Sequence, residues 1–491
     1  MTWLDAALEE TAASPNLDSL TTFQAHLDPE WIEEALTATG TATLRKRRLP
    51  AEQVLWLVLG MAMMRNRPID EVASKLDLVL PDRADKPLAK SSIVAARKRL
   101  GEEPVRWLFE RCAKQWAHAS AAAHAWRGLS IYAADGTTLR VPDSDENREH
   151  FGLAQGGLRP DSAYPMVRLV AVMAVRSHLL AAANFGPYIE SEHQLALDLW
   201  EEIPDNSLTI VDRNFLAAKI FLGLQRGGSN RNWLIRSRSN SKWTELKALG
   251  PKDMLVELNV SKEARRKDPS LPETYVARAI RYQHPASQGP QWLLTSLTDH
   301  ERYPAAEIVE LYHARWEIEL GYDELKTHML EREEAIRSRT VVGVKQELWG
   351  ILLAFNLIRF EMEKIAEEAD VAPSRISFMA ALRFIRDEWM WCAIAAPGSI
   401  PKKLQRMRER VTEFVLPPRR SDRRFRREVK IKMSAYPKKW RVTKKPAGKK
   451  RSAAKEGSSK KATASKKATA SQTIASKNGR SRPAQRRGVT K

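Results

Sequence analysis

The chain has 491 residues, 43% apolar and 29% charged, enough to bury at least one large core and to form roughly two to four domains. Its +21 formal charge and pI near 9.9 point to a polyanion. That charge is uneven: residues 438–491 hold 19 Lys/Arg against the single acid Glu456, and residues 402–432 hold 13 basic residues against four acids, leaving −6 for residues 1–401. Two distant cysteines, Cys112 and Cys392, argue against a disulfide framework and a thiolate zinc site, and fit a reducing interior.

MTWLDAALEE lacks the basic-then-apolar layout of a signal peptide. The most apolar run, VLWLVLGMAMM (54–64), has about half the ~20 residues that span a bilayer. It reads as a buried helix in a soluble, cytoplasmic protein with no membrane partner. Residues 1–125 are otherwise helical: LDPEWIEEALTATG has an acidic start and a Gly stop at 40. PIDEVASKL (68–76) and SSIVAARKRLGEE (91–103) each suit a short helix. Helix, connection, then a helix bearing Arg97, Lys98 and Arg99 suggests DNA binding of the helix-turn-helix type. The connection over 77–90 is long for the tight form of that motif, and a plain helical bundle with a basic surface fits the same pattern.

From residue 129, LSIYAADGTTLRVP predicts strand, tight Asp-Gly turn, strand. PMVRLVAVMAVRSHLLAAANF (165–185) predicts two strands joined near Arg176–His178. A helix over 190–203 and a short buried strand, SLTIVD (207–212), follow. Such an order suits a mixed sheet flanked by helices. Residues 213–303 read as an all-β insertion, with NWLIRSR, DMLVELNV, ETYVARAIRYQ and QWLLTSL as its strands. Residues 305–395 return to helix, with ELWGILLAFNLIRFEMEKIAEEA the clearest case. Beyond about 437, KKATAS repeats without large apolar residues; such a chain cannot bury enough surface to fold, which predicts a disordered basic tail.

Asp135 and Asp212 each end an apolar stretch, IYAAD and LTIVD. Either alone suits a strand cap; on neighbouring strands they would bring two hard oxygen ligands to one sheet edge, suited to Mg²⁺ or Mn²⁺. Phosphodiester cleavage by two such ions needs a third carboxylate, and LYHARWEIELGYDELKTHML (311–330) offers Glu319. At ~100° per residue, Tyr312, Arg315, Glu319 and Lys326 fall within one arc of about 60°, beside the apolar Leu311, Tyr322 and Met329. A simple Arg315–Glu319 pair on a surface helix would show the same spacing.

These four residues match, without a gap, the Y-x2-R-x3-E-x6-K signature of the insertion-sequence-four family of bacterial DDE transposases, which the chain resembles over roughly residues 30–437. DGTTLRVPDSDEN and IVDRNF resemble that family's two aspartate blocks. The resemblance implies a ribonuclease-H-like mixed sheet flanked by helices, with a β insertion before the last catalytic helix. It implies that Asp135, Asp212 and Glu319 hold two Mg²⁺, for which Mn²⁺ substitutes, and that Tyr312, Arg315 and Lys326 contact phosphates near the transposon end. In relatives that cleave through a hairpin, a Trp stacks a flipped base; Trp292 stands in that place, although a core role suits it too. Many relatives have Gly where this chain has Asn214, a residue that also tolerates left-handed backbone.

The expected organisation is a helical DNA-binding domain (1–125), the first part of the catalytic domain (126–212), a β-rich insertion (213–303), the helical remainder of the catalytic domain (304–395), a basic segment (396–437) and a disordered tail (438–491). The expected partners are double-stranded transposon-end and target DNA and a second copy of the chain on that DNA. The tail would be a salt-sensitive, non-specific DNA tether in the nucleoid. A domesticated, non-catalytic DNA-binding protein and a simple nuclease of the same fold are the competing readings.

Overall fold

The computed structural model describes residues 27, 29–42, 49–75, 89–153, 162, 164–283, 289–330, 336–392, 408–413 and 415–417. The segment read as a disordered tail, most of the basic segment and most of the 77–90 connection lie outside the described residues.

The N-terminal helices are α1 (Pro29–Ala38), α2 (Ala51–Met63), α3 (Ile69–Lys75), α4 (Lys90–Leu100) and α5 (Glu103–Cys112), the last running through a π turn into α6 (His118–Ala123). Helix α1 gives way at Gly40, whose φ of 65° lets the chain reverse without a Cβ clash. Helix α2 begins directly after Pro50, and eleven of its thirteen residues are buried, so it is enclosed on all sides.

The central sheet follows: β1 (Ser130–Arg140), α7 (Asp145–Phe151), β2 (Met166–Ala174), β3 (Leu180–Pro187), α8 (Glu192–Leu197), β4 (Ser207–Val211), α9 (Ala218–Arg226) and β5 (Arg231–Arg236). Then come β6 (Thr244–Gly250), β7 (Asp253–Asn259), α10 (Lys262–Lys267), β8 (Thr274–Tyr282) and β9 (Gln291–Thr295). The strand order is β3-β2-β1-β4-β5-β9-β8-β7-β6. Strands β1 to β3 form an antiparallel meander, and β1, β4 and β5 run parallel. This is the ribonuclease-H-like mixed sheet. The strands of 213–303 do not form a second sheet: β9 pairs antiparallel with β5, and β8, β7 and β6 continue outward from it. Residues 213–303 also hold two helices, α9 before β5 and α10 between β7 and β8, and β5 itself extends the parallel core.

The predicted Asp-Gly turn is corrected. Strand β1 runs straight through Asp135-Gly136, because β2 pairs with it continuously from Tyr132↔Ala174 to Arg140↔Met166. A long antiparallel partner outweighs a two-residue turn signal. The reversal comes instead between β2 and β3, where His178 takes a φ of 62°.

Helices α11 (Ala305–His313) and α12 (Trp316–Asp323) follow, then a π-wound stretch (Glu324–Met329), α13 (Val341–Glu368) and α14 (Phe378–Cys392). By length and composition α13 could cross a membrane, but 78% of its most apolar window is buried inside the protein. It is the central strut. Gly350 lets α13 approach α2 so closely that a Cβ there would meet Val58 Cγ1 at 2.5 Å. Asn356 pairs its side-chain amide with both backbone groups of Leu180 (2.8 and 2.9 Å), completing the start of the edge strand β3. Glu347 accepts from the guanidinium of Arg65, from the amides of Arg337 and Ser338 (3.0 Å each) and from the Ser338 hydroxyl (2.6 Å).

Candidate active site

Strand register places the first two carboxylates. Ala134 pairs with Val211 across the parallel β1–β4 ladder, so Asp135 and Asp212 stand next, side by side. Asp212 leaves β4 by capping a single 3₁₀ turn (Arg213–Phe215), its Oδ1 accepting from Asn214 N at 2.9 Å. Asn214 sits inside that turn and is not among the described residues with positive φ, so the left-handed tolerance of Asn is not used.

The third carboxylate comes from a helix that is less regular than its sequence spacing implied. Between α11 and α12, Ala314 N and Arg315 N bond to the carbonyls of Leu311 and Tyr312, each three residues back. This is a 3₁₀ step, in which i and i+3 side chains eclipse, so Tyr312 and Arg315 share one edge. Below Glu319 the π-wound stretch 324–329 carries Lys326. The uniform 100° per residue assumed from sequence therefore does not hold. Ile308 and Tyr312 pack into a small apolar cluster with Ile131, Leu208 and Leu234, whereas Ile318 and Tyr322 enter the main core. The step moves the chain from one cluster to the other.

Electrostatics tie the acids together. Burial raises the Asp135 carboxyl to about 6; the negative charges of Asp212 and Glu319 add to that, against the Gly136 amide and the Arg315 charge. Among the described residues, no three acid, histidine or cysteine side chains already meet at one point. Glu319 is instead drawn to Arg315, with Nη2 donating to Oε1 at 2.8 Å. Grouped, half-buried carboxylates repel one another, and Arg315 neutralises one of them. A set of hard oxygen donors held against that repulsion fits a divalent cation.

The comparisons decide the family. The profile described as "Insertion element 4 transposase N-terminal" matches residues 17–110, and "Transposase DDE domain" matches residues 126–357. The "Transposase InsG for insertion sequence element IS4" of Escherichia coli is 39% identical over 420 residues, which span 85% of this chain and 93% of that one. The chain belongs to the insertion-element-4 family of DDE transposases. A "Putative transposase InsZ" of the same organism is 39% identical over 44% of this chain and 72% of its own length. A cryo-EM structure of a piggyBac transposase synaptic complex with hairpin DNA aligns over 83% of this chain and 88% of that one, with 12% identity and a TM-score of 0.38. The protein is a DNA transposase, and its DDE domain implies use of a divalent metal.

Other predicted residues of the transposase fall in several settings. Tyr312 is buried against Tyr282 (ring centroids 6.3 Å apart), and burial raises its hydroxyl to about 12. Lys326 donates to Thr137 Oγ1 at 3.3 Å, two residues along β1 from Asp135. Trp292 is half-buried in β9, edge-on to Trp243 at 5.4 Å. The basic triad divides. Lys98 and Arg99 are exposed, whereas the Arg97 guanidinium donates to Gln346 Oε1 (2.8 Å), Ser338 Oγ (3.1 Å) and Gly343 O (3.3 Å), which ties it to the start of α13. Lys98 lines a cleft of about 650 Å³ with Arg67, Val94, Arg339 and Val342, where α4 meets the start of α13.

Arg236 escaped the sequence reading. Val211 pairs with Ile235, so Arg236 follows beside Asp212 as Asp212 follows beside Asp135. Its guanidinium donates to Gln291 Oε1 at 3.1 Å, and its charge reaches Tyr312. The available signal was the one that exposed Asp212: a polar residue closing an apolar strand, here NWLIR.

Proposed function

We propose that this transposase binds the terminal inverted repeats of its insertion sequence as a dimer, hydrolyses the ends, and joins the freed 3′-OH groups to target DNA. The observation that carries the reading is the side-by-side register of Asp135 and Asp212, with Glu319 close enough to raise the Asp135 carboxyl. These three residues would hold two Mg²⁺ ions, with Mn²⁺ as substitute; when bound, the ions supply an activated attacking oxygen and relief of charge on the leaving one.

The chain's own residues do the rest. Arg315 gives up Glu319 and turns its fork to a scissile-strand phosphate, a bidentate partner of similar charge. Arg236, Lys326 and the Tyr312 hydroxyl bind neighbouring phosphates and hold the strand in register. Cut-and-paste through a hairpin would use Trp292 to stack a flipped base, worth about 1–3 kcal/mol. Lys98 and Arg99 would follow the end DNA farther from the cut.

The test is cleavage of terminal-repeat DNA in Mg²⁺ by the wild type and Glu319→Gln. Loss of cleavage with end binding retained is expected. Cleavage unaffected by the substitution rejects the site, and wild-type binding without cleavage in any divalent metal favours a domesticated DNA-binding protein.

A further inference from the structure

Asp135 and Ala171 are register partners on β1 and β2. A side chain from outside the sheet enters the ladder at this pair. The Tyr322 hydroxyl accepts from Ala171 N–H at 3.1 Å and donates to Asp135 O at 2.7 Å. Both backbone groups belong to the residue pair that carries the first carboxylate. Tyr322 lies on α12 three residues after Glu319 and is buried.

The helix reaches the sheet because Gly321 has no side chain: a Cβ there would lie 2.8 Å from Met173 Sδ on β2. One turn farther, Lys326 meets Thr137 on β1, the strand of Asp135. The helix bearing Glu319 is thus fastened to β1 at Asp135 itself, through a rigid ring with only two side-chain torsions. Outer partners of this kind set where ligating groups stand, and sub-ångström errors in such placement matter.

We infer that Tyr322 is a positioning residue, whose hydroxyl fixes the Asp135 backbone against the helix of Glu319 and so sets the spacing of those two carboxylates for a divalent cation. The inference rests on the reading of Asp135, Asp212 and Glu319 as metal ligands. Phenylalanine at 322 would keep the ring packing and remove only the bridge, leaving Ala171 N–H without this acceptor.

The experiment compares full-length wild type, Tyr322→Phe and Tyr132→Phe. Tyr132 is a buried tyrosine of the same strand whose hydroxyl meets His118 Nδ1 at 2.8 Å, so its variant reports generic loss of a core hydroxyl. Mn²⁺ binding is measured calorimetrically without DNA, alongside amide exchange at Ala171 and metal-free binding to terminal-repeat DNA. For Tyr322→Phe the expected result is about a tenfold rise in the Mn²⁺ dissociation constant, faster exchange at Ala171 and unchanged metal-free DNA binding. Tyr132→Phe should bind Mn²⁺ as the wild type does. Unaltered Mn²⁺ affinity in Tyr322→Phe overturns the inference while leaving the metal site intact. Equal losses in both tyrosine variants, or an unfolded Tyr322→Phe, assign Tyr322 to core packing alone. A wild type that binds no Mn²⁺ rejects the metal reading itself.

Discussion

Replacing Glu347 by glutamine removes the negative charge from a buried knot that ties the N-terminal helices to α13. Burial alone would raise this carboxyl, yet Arg65, Arg97 and Arg337 together with the Ser338 hydroxyl hold it at about 2, below the ordinary 4.5. That gap corresponds to about 3 kcal/mol of favourable interaction, close to the roughly 3–5 kcal/mol lost when one partner of a buried ion pair is removed. Because the folded value lies below the unfolded one, this stability is fully present above about pH 4.5 and is lost as the pH falls toward 2. Urea unfolding followed by tryptophan fluorescence, at neutral pH and across that acidic range, measures both effects. Glu347→Gln should lose about 3 kcal/mol at neutral pH and flatten the acid limb of the curve. A loss below about 1 kcal/mol, the size of one ordinary hydrogen bond, would refute the reasoning.

The neighbouring cations should separate by function. Arg97→Ala is expected to lose about 2–3 kcal/mol of folding stability with little change in the salt dependence of DNA binding, whereas Lys98→Ala or Arg99→Ala should leave stability alone and lower the salt slope by about 0.9 each. Gly350→Ala pushes a methyl into Val58 and should cost about 1–3 kcal/mol in the same urea assay; a neutral result would mean α2 moves aside freely. Deletion after residue 437 removes 19 basic residues and should flatten the salt dependence of non-specific DNA binding, read by titrations at several salt concentrations.

Much of the candidate site was legible because its chemistry is local. Two apolar runs that end in Asp135 and Asp212, and four polar residues at helical spacing that include Glu319, are patterns a short window contains. What escaped was set by distant partners. Asp135-Gly136 looks like a turn until β2 is known to run beside it. Arg97 reads like its neighbours Lys98 and Arg99, and its hydrogen bond to Gln346, 249 residues away, has no local signal. The 3₁₀ step at Ala314–Arg315 follows from the junction of two apolar clusters, which no periodicity encodes. Arg236 carried the same strand-end signal as Asp212, but a lone cation at the end of a strand commonly does no more than face solvent.

The single nine-stranded sheet also sets a timetable. Asp135 and Glu319 are 184 positions apart; at ~5–20 residues per second, roughly 10–40 s separate their synthesis. Within that interval β5, complete at Arg236, waits for β9 to begin at Gln291, and a nascent or truncated chain ending before Gln291 exposes β5 as an open hydrogen-bonding edge. Premature fragments of this transposase should therefore aggregate or occupy chaperones, and on the proposed reading a chain gains its third carboxylate only once Glu319 has been made.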